Sequence, residues 1–261
     1  MSQSLTVSLY QPWLEITTAS KCLIDCYHCP QDIYQKAYHG PDLLSLNDFK
    51  TAVAKLPKSV IVNFSGFSEP FLNAKAIDMM EFAHNRGYTV WLSSTLVGAT
   101  PETIDRLSEI PLGLFLFHLP DNLGNAKIPV TDNYKNTLAY ALQKLHVNGV
   151  SIMNKDFISN ERAGLCRNTQ KRFNRKWFWC YKLMSPQFVM LPNCDVVLCC
   201  MDFGLQHVLG NLLEDTWKEI VDRFLLKDKY AICQNCLNTI SLSKYIVRHV
   251  YGVLPKQLRN R

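Results

Sequence analysis

The chain has 261 residues, 10 of them cysteine, with 28 Lys and Arg against 22 Asp and Glu and 48% hydrophobic residues. That length suits one large domain, or one with a small appendage, and the composition excludes a wholly disordered chain. No run reaches the ~18 apolar residues of a membrane span, and the start MSQSLTVSLYQP carries no basic region leading into an apolar one, so no secretory signal is expected. Cysteines in such a chain point to metal binding or redox work rather than disulfides, and the expected location is cytoplasmic. The net charge of +6 is mild and by itself implies no nucleic acid and no membrane as partner.

In chain order, Trp13 to Thr18 reads as a strand. Ser45 then caps an amphipathic helix carrying Leu46, Phe49, Val53 and Leu56, with Asp48 at the capping-box position. Ser59 to Phe64 is a buried strand, and a helix over about Ala74 to Arg86 stops at Gly87. Thr89 to Ser94 is the third strand, and Pro101 to Glu109 a short helix with Pro101 in its first turn. Leu112 to Leu119 is a nearly all-apolar fourth strand, a helix spans about Asn133 to Leu145, and Val150 to Asn154 is the fifth strand. Alternation of this kind predicts an α/β fold, a parallel sheet covered by helices and arranged as a closed or partial barrel.

After about residue 158 the texture changes. Glu161 to Trp179 is rich in Arg and Lys, Pro186 to Cys200 reads as a hairpin turned at Pro192-Asn193, and Glu214 to Phe224 is a helix. A last helix is predicted over Ser241 to Tyr251. The division expected is a barrel at 1–158, a basic linker at 159–179 and a small C-terminal domain at 180–261.

Lys21 to Pro30 reads KCLIDCYHCP and sets Cys22, Cys26 and Cys29 in a C-x3-C-x2-C array just after the first strand. Three thiolates on one loop can hold three irons of a [4Fe–4S] cube and leave the fourth iron open. A zinc knuckle completed by His28 is the other reading of the same residues. Among the remaining cysteines, Cys233-Gln-Asn-Cys236 is a C-x2-C pair, and Cys180 and Cys199 complete four thiols for one further metal site, which a zinc ribbon would also match.

The first array, at the end of the first strand of an α/β barrel, resembles the signature of the radical S-adenosylmethionine (SAM) superfamily. Ser65-Gly66-Phe67-Ser68-Glu69-Pro70, directly after the second strand, is similar to that family's GGEP-like element, with Ser65-Gly66 and Ser68 as departures. The resemblance implies a partial (β/α) barrel of five to six parallel strands and, as cofactors, SAM on a [4Fe–4S] cluster. The radical released from SAM would abstract a hydrogen atom from a C–H bond. Tyr27 and His28 would lie at the adenine, with Ser94, Thr95 and Asn154 placed for ribose hydroxyls. The strand-end turn Ser65 to Pro70 can present backbone carbonyls and Glu69 to an ammonium group, and His118 would face the barrel mouth, where a satisfied core histidine is the alternative.

The order Cys180, hairpin to Cys199, Leu209-Gly210-Asn211-Leu212, helix, Cys233 and Cys236 resembles the SPASM and shortened twitch domains of that superfamily. No cysteine follows Cys236, so the four-ligand twitch version is expected, with one auxiliary Fe–S cluster, taken as [4Fe–4S]. Cys194 stands where the family has the hairpin Gly. Cys200 competes with Cys199 as ligand, and Cys199 is chosen by its offset from the turn. Cys166 and Cys194 are either buried hydrophobes or thiol hydrogen donors.

The function the resemblance implies is a radical SAM oxidoreductase, oxidising or epimerising a carbinol of a sugar, nucleotide-sugar or cyclitol. A peptide maturase is the alternative within the family, and it lacks an N-terminal leader-binding extension here. A zinc interaction module is the alternative outside it. The basic segment Arg162, Arg167, Lys171, Arg172, Arg175 and Lys176 suggests an anionic small-molecule substrate, with Arg162 as the contact of choice. A flavodoxin or ferredoxin is the expected electron donor.

Overall fold

The structure, a computed structural model, describes residues 11–154, 161–166, 178–180, 182, 185–226, 230–236 and 238–241. Its frame is an eight-stranded sheet ordered β5-β4-β3-β2-β1-β7-β8-β9. These strands are β1 (Trp13–Ile16), β2 (Ile61–Phe64), β3 (Val90–Ser94), β4 (Leu114–Leu119), β5 (Gly149–Ile152), β7 (Gln187–Met190), β8 (Asp195–Val197) and β9 (Val208–Asn211). The strands from β5 through β1 to β7 are all parallel, and β8 and β9 follow antiparallel. Among the described residues β5 and β9 are free edges, so the barrel is partial. The short β6 (Phe178–Trp179) pairs separately with β10 (Ile240–Ser241).

Strand pleat divides the sheet into two faces of different chemistry. Leu14, Ile16, Val62, Phe64, Leu92, Phe115 and Phe188 point outward into one core with the covering helices. Those helices are α2 (Leu46–Ala54), α3 (Ala76–Asn85), α4 (Pro101–Ser108) and α5 (Asp132–Lys144). Ser45 caps α2 as its sequence predicts, its Oγ accepting the Asp48 N–H at 3.0 Å. Thr100 and Thr131 do the same for α4 and α5, which turns the expected boundaries into defined starts. The alternate residues Trp13, Glu15, Asn63 and Trp91 lie on the opposite face, which mixes aromatic and polar side chains.

Two elements differ from the expected division. The C-terminal hairpin is part of the main sheet, because β7 pairs with β1 in the register Trp13↔Gln187 to Ile16↔Met190. The helix α6 (Trp217–Leu226) docks on the same layer through Trp217 and Phe224, whose ring centroids lie 5.4 and 5.3 Å from Phe188. The reason is burial: an apolar strand such as QFVM needs cover on both faces, and the open edge of β1 supplies hydrogen bonds as well. The short helix α1 (Gln31–Ala37) has no counterpart in the sequence reading. Ser241 lies in β10, and the rest of the predicted last helix falls outside the described residues, as do Arg167, Lys171, Arg172, Arg175 and Lys176. Among the described residues no helix is long and apolar enough to cross a membrane.

Candidate functional site

The loop after β1 carries Cys22, Cys26 and Cys29 at the C-terminal end of the parallel strands, and all three line one cavity of about 230 Å³. The Cys29 N–H closes a tight turn onto the Cys26 carbonyl at 2.9 Å. The segment following β4 clamps the loop from the far side. Tyr27 N–H donates to the Asn125 carbonyl at 2.7 Å, and Lys127 N–H to the Ile24 carbonyl at 2.6 Å. Ile24 is thereby buried with Ala126, Ile128 and Tyr134. On the other side Gln31 and Gln35 of α1 both donate to the Ser20 carbonyl. The thiols are therefore held by backbone on three sides before any ligand arrives.

Burial pushes all three thiols above the ordinary cysteine range, Cys29 to about 12, and Cys22 and Cys29 each raise Cys26 further by mutual repulsion. Arg162 opposes this at Cys29. Such thiols keep their protons until a metal takes the proton's place. Among the described residues no three His, Cys, Asp or Glu side chains converge on a point as ligands of one ion. A four-iron cube attaches its cysteines to different irons, so these three thiols would hold three irons and leave the fourth open.

The second motif is tied to the root of the first. Phe67 N–H donates to Thr17 Oγ1 (3.1 Å), Thr18 Oγ1–H to the Pro70 carbonyl (2.8 Å), Ala19 N–H to Ser68 Oγ (3.3 Å), and Asn73 Nδ2–H to the Thr18 carbonyl (2.9 Å). Gly66 adopts φ +57°, and a Cβ there would sit 2.8 Å from the Thr17 Cα and N, so glycine is required by both conformation and contact. Two motifs 40 residues apart are thus one physical unit.

Glu69 is 5% exposed. Its Oε1 accepts from Ser94 Oγ (2.5 Å) and Phe71 N (3.4 Å), its Oε2 from Thr95 N (2.8 Å) and Thr95 Oγ1 (2.7 Å). Burial raises its pKa and these four bonds oppose the rise. All four acceptor positions are used by the chain itself, so Glu69 works as a strut between β2 and β3 and not as the open ammonium acceptor the sequence suggested. Ser94 is corrected with it: its hydroxyl is spent on Glu69, and the cavity wall is instead formed by Ser93 and Thr95.

The other predicted residues gather as follows. Tyr27, His28, Ser65, Gly66, Phe67, Ser68, His118, Asn154 and Arg162 all line the cavity. The Tyr27 and His28 rings meet edge to face at 4.8 Å, and His28 Nε2 and Ser65 Oγ are buried without a hydrogen-bond partner. Burial, assisted by Arg162, lowers the His118 pKa to about 4, which leaves it a neutral imidazole near pH 7. Arg162 Nη1 donates to the Cys200 carbonyl at 3.2 Å and its guanidinium lies over Phe203 at 5.3 Å. Arg162 and Ala163 hold φ of +46° and +57°, a costly conformation for side chains other than Gly or Asn. The sequence reading missed Glu15, Ser93, Asn125, Cys200 and Phe203 on the same wall. Glu15 had a visible signal, a lone carboxylate inside the apolar strand WLEI.

A second, smaller cavity is lined by Cys180, Cys199, Cys233 and Cys236 together with Lys182 and Thr239. Thr239 Oγ1 braces the C-x2-C turn by donating toward the Cys236 (2.7 Å) and Cys233 (3.2 Å) carbonyls. Burial raises all four thiols, Cys233 to about 12, while Lys182 opposes the rise at Cys199. Cys199 lines this cavity and Cys200 the larger one, although Lys182 Nζ, on the wall of this cavity, donates to the Cys200 thiol at 3.5 Å. Strand pleat is not the cause, because β8 ends at Val197 and both cysteines lie in the turn beyond it. Cys194 lines neither cavity. It is fully buried at φ +65° in the β7–β8 turn, the conformation that explains a glycine at that place in related hairpins. The Cys166 thiol donates to the His28 carbonyl at 3.1 Å.

Residues 180–237 match the family SPASM, described as an iron-sulfur cluster-binding domain. Among the curated proteins no sequence matches the chain. Solved structures resemble it over most of its length. BtrN in complex with AdoMet and 2-DOIA superposes with a TM-score of 0.63 at 18% identity, over 87% of this chain and 92% of that one. The anSMEcpe protein with bound AdoMet and Cp18Cys peptide gives 0.52 at 14% identity, over 86% of each chain. SuiB of Streptococcus suis, bound to precursor peptide SuiA, gives 0.54 at 10% identity, over 87% of this chain and 70% of that one. Residues 180–237 thus match a SPASM iron-sulfur cluster-binding domain, and the fold of the chain resembles that of BtrN, anSMEcpe and SuiB.

Proposed function

We propose that the chain is a radical SAM oxidoreductase acting on a carbinol of a small ring substrate, a sugar, nucleotide-sugar or cyclitol. The observation that carries this reading is the pair of cysteine-lined cavities, three thiols from one loop at the barrel mouth and four thiols behind the hairpin. Cys22, Cys26 and Cys29 would hold a [4Fe–4S] cluster with SAM, and Cys180, Cys199, Cys233 and Cys236 an auxiliary one. When bound, these groups supply a 5′-deoxyadenosyl radical that takes a hydrogen atom from carbon and an acceptor for the electron left behind.

The chain's own residues set the geometry. Asn125 and Lys127 fix the cysteine loop, and Glu69 locks the ends of β2 and β3 so that Ser65 to Ser68 present backbone toward the same space. His118, neutral at physiological pH, presents an imidazole and not an imidazolium on the cavity wall. Arg162 supplies positive charge beside Cys29 and His118 and is the candidate contact for an oxygen-rich or anionic substrate group. A small ring substrate suits a cavity of about 230 Å³. The fuller coverage of BtrN, crystallised with a small molecule, supports the same choice.

Anaerobic reconstitution tests the reading. Reduced protein with SAM is expected to yield 5′-deoxyadenosine, and Cys26→Ala to abolish it. Undiminished cleavage by that variant, or a colourless wild type containing zinc and no iron, would overturn the assignment.

A further inference from the structure

The smaller cavity holds a buried cation beside its four cysteines. Its wall is Cys180, Cys199, Cys233 and Cys236, the apolar Met201 and Ile232, the neutral Asn238 and Thr239, and Lys182. Lys182 is 7% exposed, and its positive charge acts on all four of those thiols. Lysine is among the side chains least often buried, because taking an ammonium out of water is costly unless negative charge lies close by. Four thiolates supply that negative charge, and four protonated thiols do not. The composition of the wall therefore fits a thiolate-bound centre that carries net negative charge.

Lys182 also stands at the partition between the two cavities. Its Nζ donates to the Cys200 thiol at 3.5 Å. Cys200 is a wall residue of the larger cavity, while its neighbour Cys199 lines the smaller one. The proposed reaction sends one electron across this partition. Once the 5′-deoxyadenosyl radical has taken the hydrogen atom from the carbinol carbon, a single electron is left on that carbon. It passes to the auxiliary centre as the C–O bond becomes C=O and the hydroxyl proton leaves to water. The auxiliary centre thus gains negative charge and no proton. That charge arrives beside apolar side chains, where solvent screens it little and a fixed ammonium counts for most.

We propose that Lys182 is the charge-compensating residue of the auxiliary centre, stabilising its reduced form and raising its reduction potential so that it accepts the substrate's electron. The assignment rests on the proposed function, which puts an iron-sulfur cluster among these four thiolates. Cluster potentials follow net charge, hydrogen bonds to sulfur and exposure to solvent. A cation in a largely apolar wall favours the more negative of two oxidation states. The sign of the effect is fixed by this: removing the cation lowers the potential.

The test is a redox titration of the full chain carrying Cys22→Ala, Cys26→Ala and Cys29→Ala, reconstituted anaerobically with iron and sulfide so that the auxiliary cluster is observed alone. Electron paramagnetic resonance reads the reduced fraction as titanium(III) citrate lowers the potential. Lys182→Met, close in size and neutral, is expected to lower the reduced-to-oxidised ratio at fixed potential by at least about tenfold, a midpoint about 59 mV more negative for one electron. Lys182→Arg, which keeps the charge, is expected to stay within about twofold of the triple variant. A Lys182→Met ratio within about twofold overturns the proposal. A Lys182→Arg shift as large as that of Lys182→Met also overturns it and makes the residue a packing element. Should Lys182→Met fail to retain iron, Lys182→Arg decides: retention supports charge compensation, and loss overturns it. A triple variant that takes up zinc or no iron overturns the auxiliary cluster itself, so the two failures are told apart.

Discussion

Replacing Glu69 with Gln changes one atom and tests whether the carboxylate is the strut described above. The Ser94 hydroxyl already accepts the Leu96 N–H at 2.8 Å and the Thr95 hydroxyl the Val97 N–H at 3.3 Å, which leaves both hydroxyl hydrogens to donate to Glu69. With the Phe71 and Thr95 backbone N–H groups, all four neighbours are donors, and an amide NH₂ must face two of them. The less costly placement is at Oε1, where the Phe71 contact is longest at 3.4 Å and the Ser94 hydroxyl can turn away. One orphaned backbone N–H and one reoriented hydroxyl cost about 1–3 kcal/mol together, since each buried unsatisfied group is worth that order. For a chain of this size that is a fall in melting temperature of roughly 3–9 °C. Glu69→Ala orphans all four donors and should fall further. The assay is thermal unfolding followed by circular dichroism on the metal-free protein, where cluster binding cannot mask the effect. A Glu69→Gln melt within about 1 °C of wild type, well below the smallest shift expected, would refute the account.

Three further outcomes follow from particular contacts. In a background lacking Cys22, Cys26 and Cys29, Cys199→Ala should remove the remaining iron while Cys200→Ala retains it, because Cys199 lines the four-thiol cavity with Cys180, Cys233 and Cys236; iron analysis giving the reverse would reassign the ligand. Gly66→Ala should cost at least about 1–2 kcal/mol from the left-handed conformation alone, before its clash with the Thr17 backbone, and SAM binding should weaken with it. The Arg223 guanidinium beside Asp215 holds that carboxyl down at about 2, so its contribution is present above pH ~4 and lost as pH falls from there toward 2. Acid titration of stability should therefore be shallower in that window for Asp215→Asn than for wild type, and identical curves would count against the pair.

The elements with strong local signals were legible before any coordinates. Capping at Ser45, the glycine stop at Gly87 and the apolar strands gave β1 to β5 and their helices to within a few residues. The helix α1 was missed because QDIYQKA is short and its burial comes from contacts with Ser20 and Phe67, which no local pattern encodes. The C-terminal hairpin was read correctly as a hairpin but placed in a separate unit. Its pairing with β1 joins residues over 170 positions apart, and sequence periodicity carries no information about strand partners at that range.

The cysteine groups show the same division. Spacing alone determined that ten cysteines fall into a loop of three and a later set containing a C-x2-C pair. Which of the adjacent Cys199 and Cys200 lines the four-thiol cavity depends on the turn after β8, and it is Cys199. Cys194 was taken out of both by the conformation of its hairpin turn. The wall of the large cavity belongs wholly to the tertiary structure. Glu15, Ser65 and Ser93 lie in or just beyond β1, β2 and β3 and share one cavity wall only because the parallel registers of those strands align, so a carboxylate that looks misplaced in one apolar strand lines a cavity in the fold.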